Sequence, residues 1–456
     1  MDNKSITRMT EGSISKKIIF FAIPLFWGAL FQQLYNATDA LIVGNFLGNE
    51  ALAAVSSSGS LIFLMVGFFN GIGIGAGAVT ARFFGAKNYT ALKKAIHTTI
   101  AFGLICGLAL TVIAEFLAPV ILELIGTPED VIDKSLEYFR FYFFGSIAFV
   151  MYNFLMGILQ SLGDTRHPLI YLMTSSGINI ALDLLFIAVL GFGVWSAACA
   201  TAIAQAISAI LCFRKLTQLP EEFRVRIRDI KIDKTLLGLV VRNGVPAGLQ
   251  NSMISIANVF VQANINAFGA VAVAGSGSYM KIEGFAFVPV ICFSQALTTF
   301  IGQNLGAKEY DRARKGARFG ALCSMGIAEV IGVIVFLAAP FLIRMFGADE
   351  ASVAIGVKQA HIQSLFFCLL AFSHCMAAVQ RGAGRSLVPM LVMFGAWCVF
   401  RVTYISVMVS IFHRIEVVFS AYPVTWTLSS IIFLIIFLKT DWLHGLEKQR
   451  LKADVQ

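Results

Sequence analysis

The chain has 456 residues, of which 58% are hydrophobic and only 13% are charged, and its mean hydropathy is +0.79. In ordinary soluble proteins about 25% of all residues are charged, so this composition excludes an ordinary soluble protein. The formal net charge of +9 raises the question of an acidic partner such as nucleic acid, which the placement of the basic residues decides.

Apolar stretches of about 20 residues recur along the whole sequence, and each is long enough to cross a hydrocarbon core of about 30 Å. Lipid cannot satisfy backbone polar groups, so each stretch is predicted to be a helix. The sequence therefore predicts an all-α polytopic membrane protein with twelve transmembrane helices. The predicted spans cover residues 18–43, 55–80, 95–118, 137–159, 168–190, 195–213, 240–265, 278–300, 318–340, 357–380, 388–411 and 417–438.

Basic residues are concentrated on one side of the predicted membrane. Most of the 35 Lys and Arg residues lie in the segments on the side of the N-terminus. This asymmetry predicts a protein of the cell (inner) membrane with both termini in the cytoplasm, and it explains the net charge without nucleic acid as a partner. The polar segment 1–17 and the length of the first span argue against a cleaved signal peptide.

The sequence has no pattern typical of an enzyme or of an ATP-driven pump, since it contains neither a Walker motif nor a recognisable nucleophile with its base. The eight cysteines lie in apolar stretches without CxxC or Cys/His spacing, so we expect free thiols and no metal site built on them. The run Gly71–Gly77 lies within a span and follows no strand, so it predicts close helix packing rather than dinucleotide binding.

An internal repeat divides the chain into two halves. Phe84–Tyr89 (FGAKNY) recurs as Leu305–Tyr310 (LGAKEY), and the same offset relates Pro119 to Pro340, Gly163 to Gly384 and Pro168 to Pro389. Each half holds six spans, an even number, which predicts two six-helix bundles related by a pseudo-two-fold axis along the membrane normal. We expect an N-lobe at 1–213, a cytoplasmic linker at 214–239 and a C-lobe with a cytoplasmic tail at 240–456.

Polar residues within the spans of the first half predict an ion site, because ionisable groups in a span are costly and mark functional sites by default. At about 1.5 Å rise per residue, Asp39, Asp183 and Thr201 reach a similar depth near the outer side. Asn179 lies one turn below Asp183 on the same helix face. Two carboxylates with amide and hydroxyl oxygens can hold Na⁺ or share a proton.

The alternative for the first half is that Asp39 and Asp183 lie singly at the outer rim or cap neighbouring helices. The repeat favours the shared site, because the second half has only aromatic residues at the matching positions. A structural feature of the fold would recur in both halves. These positions are Phe260, Phe400, Tyr404 and Tyr422.

The second half has its own polar residues within or near the spans, namely Lys281, Glu283, His361 and Arg401. Lys281 and Glu283 are two residues apart and do not face each other on a helix, so each needs another partner or a water-filled cavity. A glutamate there can attract a cationic substrate, which predicts a substrate site or another polar site of the C-lobe. The alternative is a set of structural ion pairs.

Pro24 lies within the first span and removes a helix hydrogen bond, which predicts a bend. A bend that responds to protonation of Asp39 would couple the ion to access, and Pro24 would then be a gating kink. The alternative is a static kink, which the matching Pro246 of the second half favours at least in part.

The twelve spans, the duplicated Gly-Ala-Lys-x-Tyr loops, the stretch Gln160–Arg166 (QSLGDTR) and Pro24 with Asp39 resemble the multidrug and toxic compound extrusion (MATE) family. The resemblance covers nearly the whole chain. The set of Asp39, Asn179, Asp183 and Thr201 resembles the N-lobe cation site of the DinF-like branch. The NorM-like branch has a carboxylate in its seventh span, where this chain has Ile254, and this departure argues against a NorM-type sodium site in the C-lobe.

The resemblance implies exchange of H⁺ or Na⁺ for drugs and other small organic cations, by a V-shaped pair of bundles with a central cleft. We expect alternating access, a monomer in the lipid bilayer and no cofactor. Because catalytic motifs are absent, we also expect that the protein is not an enzyme. The alternative within the same superfamily is a flippase for a lipid-linked oligosaccharide. Such a flippase needs a cationic cleft, and within the predicted spans only Lys281 and Arg401 are basic candidates for one.

Overall fold

The computed structural model describes residues 7–124, 129–346 and 349–444, so the end of the predicted C-terminal tail, 445–456, lies outside the described residues. The described part is helical and contains no strand. The first half forms α1 (Ile14–Gly85), α2 (Tyr89–Leu124), α3 (Glu129–Phe144), α4 (Ser146–Ser161), α5 (Arg166–Asp183) and α6 (Trp195–Thr217). The second half forms α7 (Lys234–Asn266), α8 (Ala270–Gly306), α9 (Tyr310–Arg344), α10 (Glu350–Gln363), α11 (Phe367–Gly382), α12 (Leu387–Met393), α13 (Arg401–Phe412) and α14 (Ile415–Lys439).

Short irregular segments join or extend several of these helices. A π-helical segment, Leu184–Val189, continues α5, and a second one, Phe394–Phe400, joins α12 to α13. Ser364–Phe366 forms a 3₁₀ turn between α10 and α11, so these two helices make one broken span. Helix α1 covers the first two predicted spans and is interrupted at Gly48, which has φ 83° and ψ −177°.

The helical prediction is confirmed, with local differences. In the described part of the chain, ten helical segments are long and apolar enough to cross a membrane. The pair α3 and α4, bent by 50° at residue 145, makes an eleventh span. Helix α7 occupies the seventh predicted span but is not among these segments. Its sequence includes Arg242, Asn243, Gln250 and Asn251, which make it more polar than the others.

The internal repeat of the sequence is also a repeat of backbone conformation. Three pairs of residues with positive φ recur at the offset that relates Phe84 to Leu305. Positive φ is uncommon for a residue with a Cβ, so its recurrence at two lysines identifies the same tight turn in both halves. The pairs, with their φ angles, are Gly48 and Gly269 (83° and 92°), Lys87 and Lys308 (54° and 63°), and Gly163 and Gly384 (87° and 77°).

The chain forms two compact units. One consists mainly of Trp27–Gly248, and the other consists of Met9–Phe26 with the chain from Leu249 onward. Pro24 therefore lies close to the point in α1 where the chain passes into the first unit. Within α1, which the structure describes throughout, Gly48 is the residue with non-helical φ and ψ, and Pro24 lies inside the continuous helix.

The predicted linker, 214–239, packs on the first unit. The backbone N–H of Arg226 donates to His97 Nε2 at 3.2 Å, and that of Asp233 donates to Thr98 Oγ1 at 3.1 Å. Lys93 Nζ forms an ion pair with Asp229 at 2.8 Å. The hydrogen bond from Lys93 lowers the pKa of the Asp229 carboxyl below its usual value. The linker is thus an ordered part of this unit.

The glycine run in α1 allows two other helices to approach its backbone. A Cβ at Gly71 or Gly75 would lie only 2.5 Å from backbone oxygens of α7. On the other side, a Cβ at Gly73 would lie 2.9 Å from the backbone of α4, and a Cβ at Gly157 of α4 would lie 2.6 Å from the Gly73 carbonyl oxygen. The predicted close packing is confirmed, and alternate glycines serve alternate neighbours.

We predict that Gly157→Val lowers the thermal stability of the protein, because the added side chain would meet the backbone of α1. Overpacking of this kind costs about 1–3 kcal/mol. The matched control is Gly177→Ala on α5, where a Cβ meets nothing within 4 Å and where alanine favours the helix. Thermal unfolding of the purified variants in detergent measures the difference, and an equal melting temperature for Gly157→Val and wild type would contradict the packing argument.

Candidate functional site

The four polar residues predicted in the first half come from three helices of one unit. Asp39 lies on α1, Asn179 and Asp183 lie on the last turns of α5, and Thr201 lies on α6. Asn179 and Asp183 are fully buried, and Thr201 is 8% exposed. The π-helical segment begins directly after Asp183, and such segments widen a helix locally, frequently at functional sites.

Asn179 connects α5 to α6 through its amide. Its Nδ2 donates to Asp183 Oδ2 at 3.0 Å, and its Oδ1 accepts from the backbone N–H of Thr201 at 3.1 Å. The orientation of this amide follows from its partners, since the opposite orientation would place like atoms together. Asn179 therefore fixes the position of the Asp183 carboxyl group against α6.

The carboxyl groups of Asp39 and Asp183 lie within hydrogen-bonding distance of each other. A carboxylate accepts hydrogen bonds but cannot donate one, so a bond between two carboxyl groups requires a proton on one of them. Each group also has a buried Oδ1 without a hydrogen-bond partner among the described residues. Such oxygens are unusual in proteins and are available to a proton, a water molecule or a cation.

Three tyrosines surround the two carboxyl groups, and the sequence analysis did not identify them. Tyr35 lies one turn before Asp39 on α1, and its hydroxyl is 3.4 Å from Thr201 Oγ1. Tyr138 and Tyr142 of α3 lie in electrostatic range of Asp39, with their ring centroids 6.2 Å apart. The spacing of Tyr35 and Asp39 was the available signal, because residues four apart share one helix face.

Oxygen atoms dominate the N-lobe site. Within the described residues, neither Asp39 nor Asp183 forms an ion pair with a basic side chain. No group of three His, Cys, Asp or Glu side chains that could hold a metal converges anywhere in the same part of the chain. Two carboxyl groups with amide and hydroxyl oxygens suit a proton or Na⁺, which prefers hard oxygen ligands, rather than a transition metal.

The C-lobe contains a buried cation at its polar centre. Arg401 is 1% exposed and donates to Thr425 Oγ1 at 2.9 and 3.3 Å and to Asn258 Oδ1 at 3.3 Å. Its guanidinium carbon lies 4.5 Å from the ring centroid of Tyr422 and 5.5 Å from that of Trp397. All these partners are uncharged, so hydrogen bonds and cation–π contacts stabilise the charge.

Glu283 of α8 is the acid in electrostatic range of Arg401. Their charged groups are more than 4 Å apart, since they form no salt bridge in the described part of the chain, and Glu283 is only half-buried. Its carboxylate therefore keeps acceptor capacity that Arg401 does not use. The structure thus brings together two of the four polar residues predicted in the second half.

The other two predicted residues of the second half lie elsewhere. Lys281 is exposed, and its Nζ lies 5.3 Å from the ring centroid of Phe346. His361 is also exposed, packs on the ring of Phe336 at 4.3 Å, and has Nε2 3.1 Å from the carbonyl oxygen of that residue. Neither side chain reaches the pair of Glu283 and Arg401.

A second buried arginine of the C-lobe lies directly after the tenth predicted span, which ends at residue 380. Arg381 lies in the last turn of α11, is 7% exposed and donates to Gln250 Oε1 at 3.3 Å and Ser294 Oγ at 3.0 Å. His374 lies two turns earlier on the same helix, with its ring 5.4 Å from Trp397. The two buried arginines, Arg381 and Arg401, are therefore held by neutral polar and aromatic partners.

Comparison with known proteins identifies the family. The MatE family profile matches this chain twice, over residues 24–185 and 246–407. The chain is 28% identical to the probable multidrug resistance protein YoeA of Bacillus subtilis over 432 residues, 92% of this chain and 93% of that protein. It is 28% identical to the probable multidrug resistance protein NorM of Thermotoga maritima over 407 residues, covering 88% and 87% of the two chains.

The fold agrees with this assignment. The structure of a MOP superfamily transporter from Pyrococcus furiosus superposes with a TM-score of 0.90, covering 98% of this chain and 100% of that chain, at 22% sequence identity. The two profile matches span equal lengths and correspond to the two halves of the repeat. The chain therefore belongs to the MatE family of multidrug efflux transporters, which are multi-pass membrane proteins and not enzymes.

Proposed function

We propose that this transporter is an antiporter that exchanges H⁺ or Na⁺ for small, mostly cationic organic compounds by alternating access. The coupling ion binds at Asp39, Asn179, Asp183 and Thr201. The observation that carries the proposal is the contact between two carboxyl groups that have unused buried oxygens and no basic partner among the described residues. Two such groups cannot both remain ionised there without an ion between them.

The two ions would use the same atoms. A proton bridges the two carboxyl groups, whereas Na⁺ takes an oxygen from each of them together with the hydroxyl oxygen of Thr201, while Asn179 holds the Asp183 carboxyl group in place. Binding of one ion therefore excludes the other. The names of the relatives in Bacillus subtilis and Thermotoga maritima support drugs as the exported compounds, since both are called multidrug resistance proteins.

We predict that Asp39→Asn and Asp183→Asn each reduce efflux of a cationic dye to background while the protein remains folded and inserted. An amide has nearly the shape of the carboxyl group but cannot carry the charge that releases and rebinds the ion. Efflux of ethidium from proteoliposomes measures the effect, and gel filtration checks the fold.

The matched control for these variants is Glu115→Gln. Glu115 is an exposed carboxylate on α2 that pairs with Arg140 at 3.1 Å. Efflux by this control should equal that of the wild type. Wild-type efflux by Asp39→Asn would exclude the proposed ion site, although the family assignment would stand.

We predict that an imposed proton gradient drives dye efflux and that Na⁺, added without a gradient, slows this proton-driven efflux. The physical reason is competition for the same carboxyl oxygens. The measurement uses proteoliposomes in which the pH and Na⁺ gradients are imposed separately. If neither gradient drives dye efflux, ion coupling is contradicted. If proton-driven efflux has the same rate with and without Na⁺, the site binds protons only.

For the C-lobe we propose that Glu283 receives the cationic group of the substrate. Arg401 then acts as a fixed countercharge that keeps the carboxylate ionised between transport events. The supporting observations are that Glu283 is half-buried, has no salt bridge among the described residues and lies in range of a guanidinium that neutral partners already hold. Lys281 and His361 have no part in this proposal.

We predict that Glu283→Gln raises the KM for a cationic dye, because the substrate loses its countercharge. Lys281→Gln is the matched control, two residues away on the same helix but exposed, and it should leave the KM unchanged. Initial rates of dye efflux over a range of dye concentrations give both constants. A fall in the maximal rate at constant KM would instead indicate a structural role for the Glu283 and Arg401 pair.

A further inference from the structure

A lateral groove of about 750 Å³ opens on the surface of the first unit, between α2, α4 and α6. Every residue that lines it is apolar or small, and no charged side chain is among them. The groove is open to the surroundings, since the lining residues Ile147 and Ile210 are 36% and 63% exposed. An open apolar groove of this size on a membrane helix bundle faces hydrocarbon.

The groove exists because of the bend between α3 and α4. The two helices meet at an angle of 50°, and Gly145 lies at the joint. A Cβ at Gly145 would overlap the side chain of Ala202, so the bend brings the backbone directly against α6. Small residues continue along the groove at Ala202 and Ala206, which leaves a channel where larger side chains would fill the space.

The predicted linker closes one end of the groove. Ile227, in the 3₁₀ turn of the linker, and Ile230, directly after that turn, are among the lining residues, and Ile227 is 73% exposed. The hydrogen bonds to His97 and Thr98 hold this part of the linker in place. The groove therefore runs from the middle of the bundle, at residue 145, to a polar segment at the membrane surface.

The polar end of the groove is basic. Arg214 follows the lining residue Phe213, Arg228 lies between Ile227 and Ile230, and Lys231 follows Ile230. All three basic side chains are exposed, and none has a hydrogen bond or ion pair within the described part of the chain. Two acids of the linker already pair with other basic side chains. Asp229 pairs with Lys93, and Glu221 pairs with Arg224 and Arg226.

We propose that this groove binds one acyl chain of an anionic glycerophospholipid, whose phosphate group lies against Arg214, Arg228 and Lys231. The groove is complementary to an anionic amphiphile, because its apolar channel ends at unpaired positive charge. The acyl chain of a zwitterionic lipid would fit the same channel, but its headgroup would be attracted less strongly by the basic side chains. Each basic side chain near an anionic lipid surface contributes about a fivefold preference.

The position of the groove links it to the ion site. Ala202 lines the groove and directly follows Thr201, while Phe141 lines it and directly precedes Tyr142. An acyl chain in the groove thus packs on the outer face of the helices whose inner faces carry the ion site. Lipid binding supports the bend beside Gly145, and it can be measured without any assumption about transport.

The test uses the full-length protein in detergent with a tryptophan reporter in the groove, Ile147→Trp. Brominated phosphatidylglycerol and brominated phosphatidylcholine with the same acyl chains are titrated, and the fluorescence quenching beyond that of the parent protein is measured. We expect saturable quenching at a concentration of phosphatidylglycerol at least about fivefold lower than of phosphatidylcholine. Leu322→Trp, an exposed position on α9, is the control and should show no preference.

Two further variants separate the contribution of the lipid headgroup from that of the acyl chain. Arg214→Gln, Arg228→Gln and Lys231→Gln combined should remove the preference for phosphatidylglycerol, and Ala206→Phe should remove saturable quenching by both lipids. Equal titration by the two lipids, or quenching at position 147 that resembles the control, would overturn the proposal. Should Ile147→Trp fail to fold by gel filtration, Ile203→Trp reports on the same groove.

Discussion

Every polar group inside a membrane span must find its partner within the protein, because hydrocarbon offers none. This constraint explains most of what the structure contains. Main-chain groups are satisfied within helices. Hydroxyl side chains donate hydrogen bonds to carbonyl oxygens of their own helix, as Thr80 Oγ1 does to the Ala76 carbonyl oxygen at 2.7 Å. Close approach of helices then depends on glycines, which is why Gly73 and Gly157 touch backbone to backbone. Asp39 and Asp183 do not fit this pattern, because each keeps a buried carboxyl oxygen without a partner among the described residues.

The two halves share their backbone turns but differ in the charge of the side chains buried within their spans. Turns with positive φ repeat at matching positions, so the scaffold is duplicated. Where the first half has a pair of carboxyl groups, the second has Arg401, held by Asn258, Thr425 and aromatic rings. A guanidinium can be satisfied by neutral acceptors and π-faces, whereas two carboxyl groups in contact require an ion. The lobe with the carboxyl pair is therefore the one suited to bind and release an ion.

The sequence was sufficient for the fold class, because apolar stretches of membrane-spanning length and a repeat at one offset are patterns along the chain. It was also sufficient to select Asp39, Asn179, Asp183 and Thr201, since helix rise places them at one depth. It could not show their convergence, because depth says nothing about which helix faces which. The tyrosines were missed for that reason.

The predicted polar set of the second half divided for the same reason. Lys281 and Glu283 are two residues apart, and the period of the helix turns one outward and the other towards Arg401. The role of Glu329 was equally invisible in the sequence. Its carboxylate accepts the backbone N–H of Cys368 at 3.2 Å, at the start of α11 after the 3₁₀ break. A broken helix inside a span leaves such N–H groups unpaired, and only the structure shows where the break lies.

The energetics of the emptied ion site explain how binding can drive a conformational change in the proposed mechanism. With a proton or Na⁺ bound, the pair of Asp39 and Asp183 carries a single net negative charge. Release of the ion leaves two carboxylates in contact, with Asp183 buried and Asp39 half-buried, and without a basic partner among the described residues, which is strongly unfavourable. An ion shifts a conformational equilibrium only through its different affinity for the two states, so the proposed mechanism requires a second state in which the two carboxyl groups are apart. In the proposed mechanism helix α1 relieves the repulsion, since it carries Asp39 and contains Pro24, which lacks the N–H that a helix hydrogen bond needs.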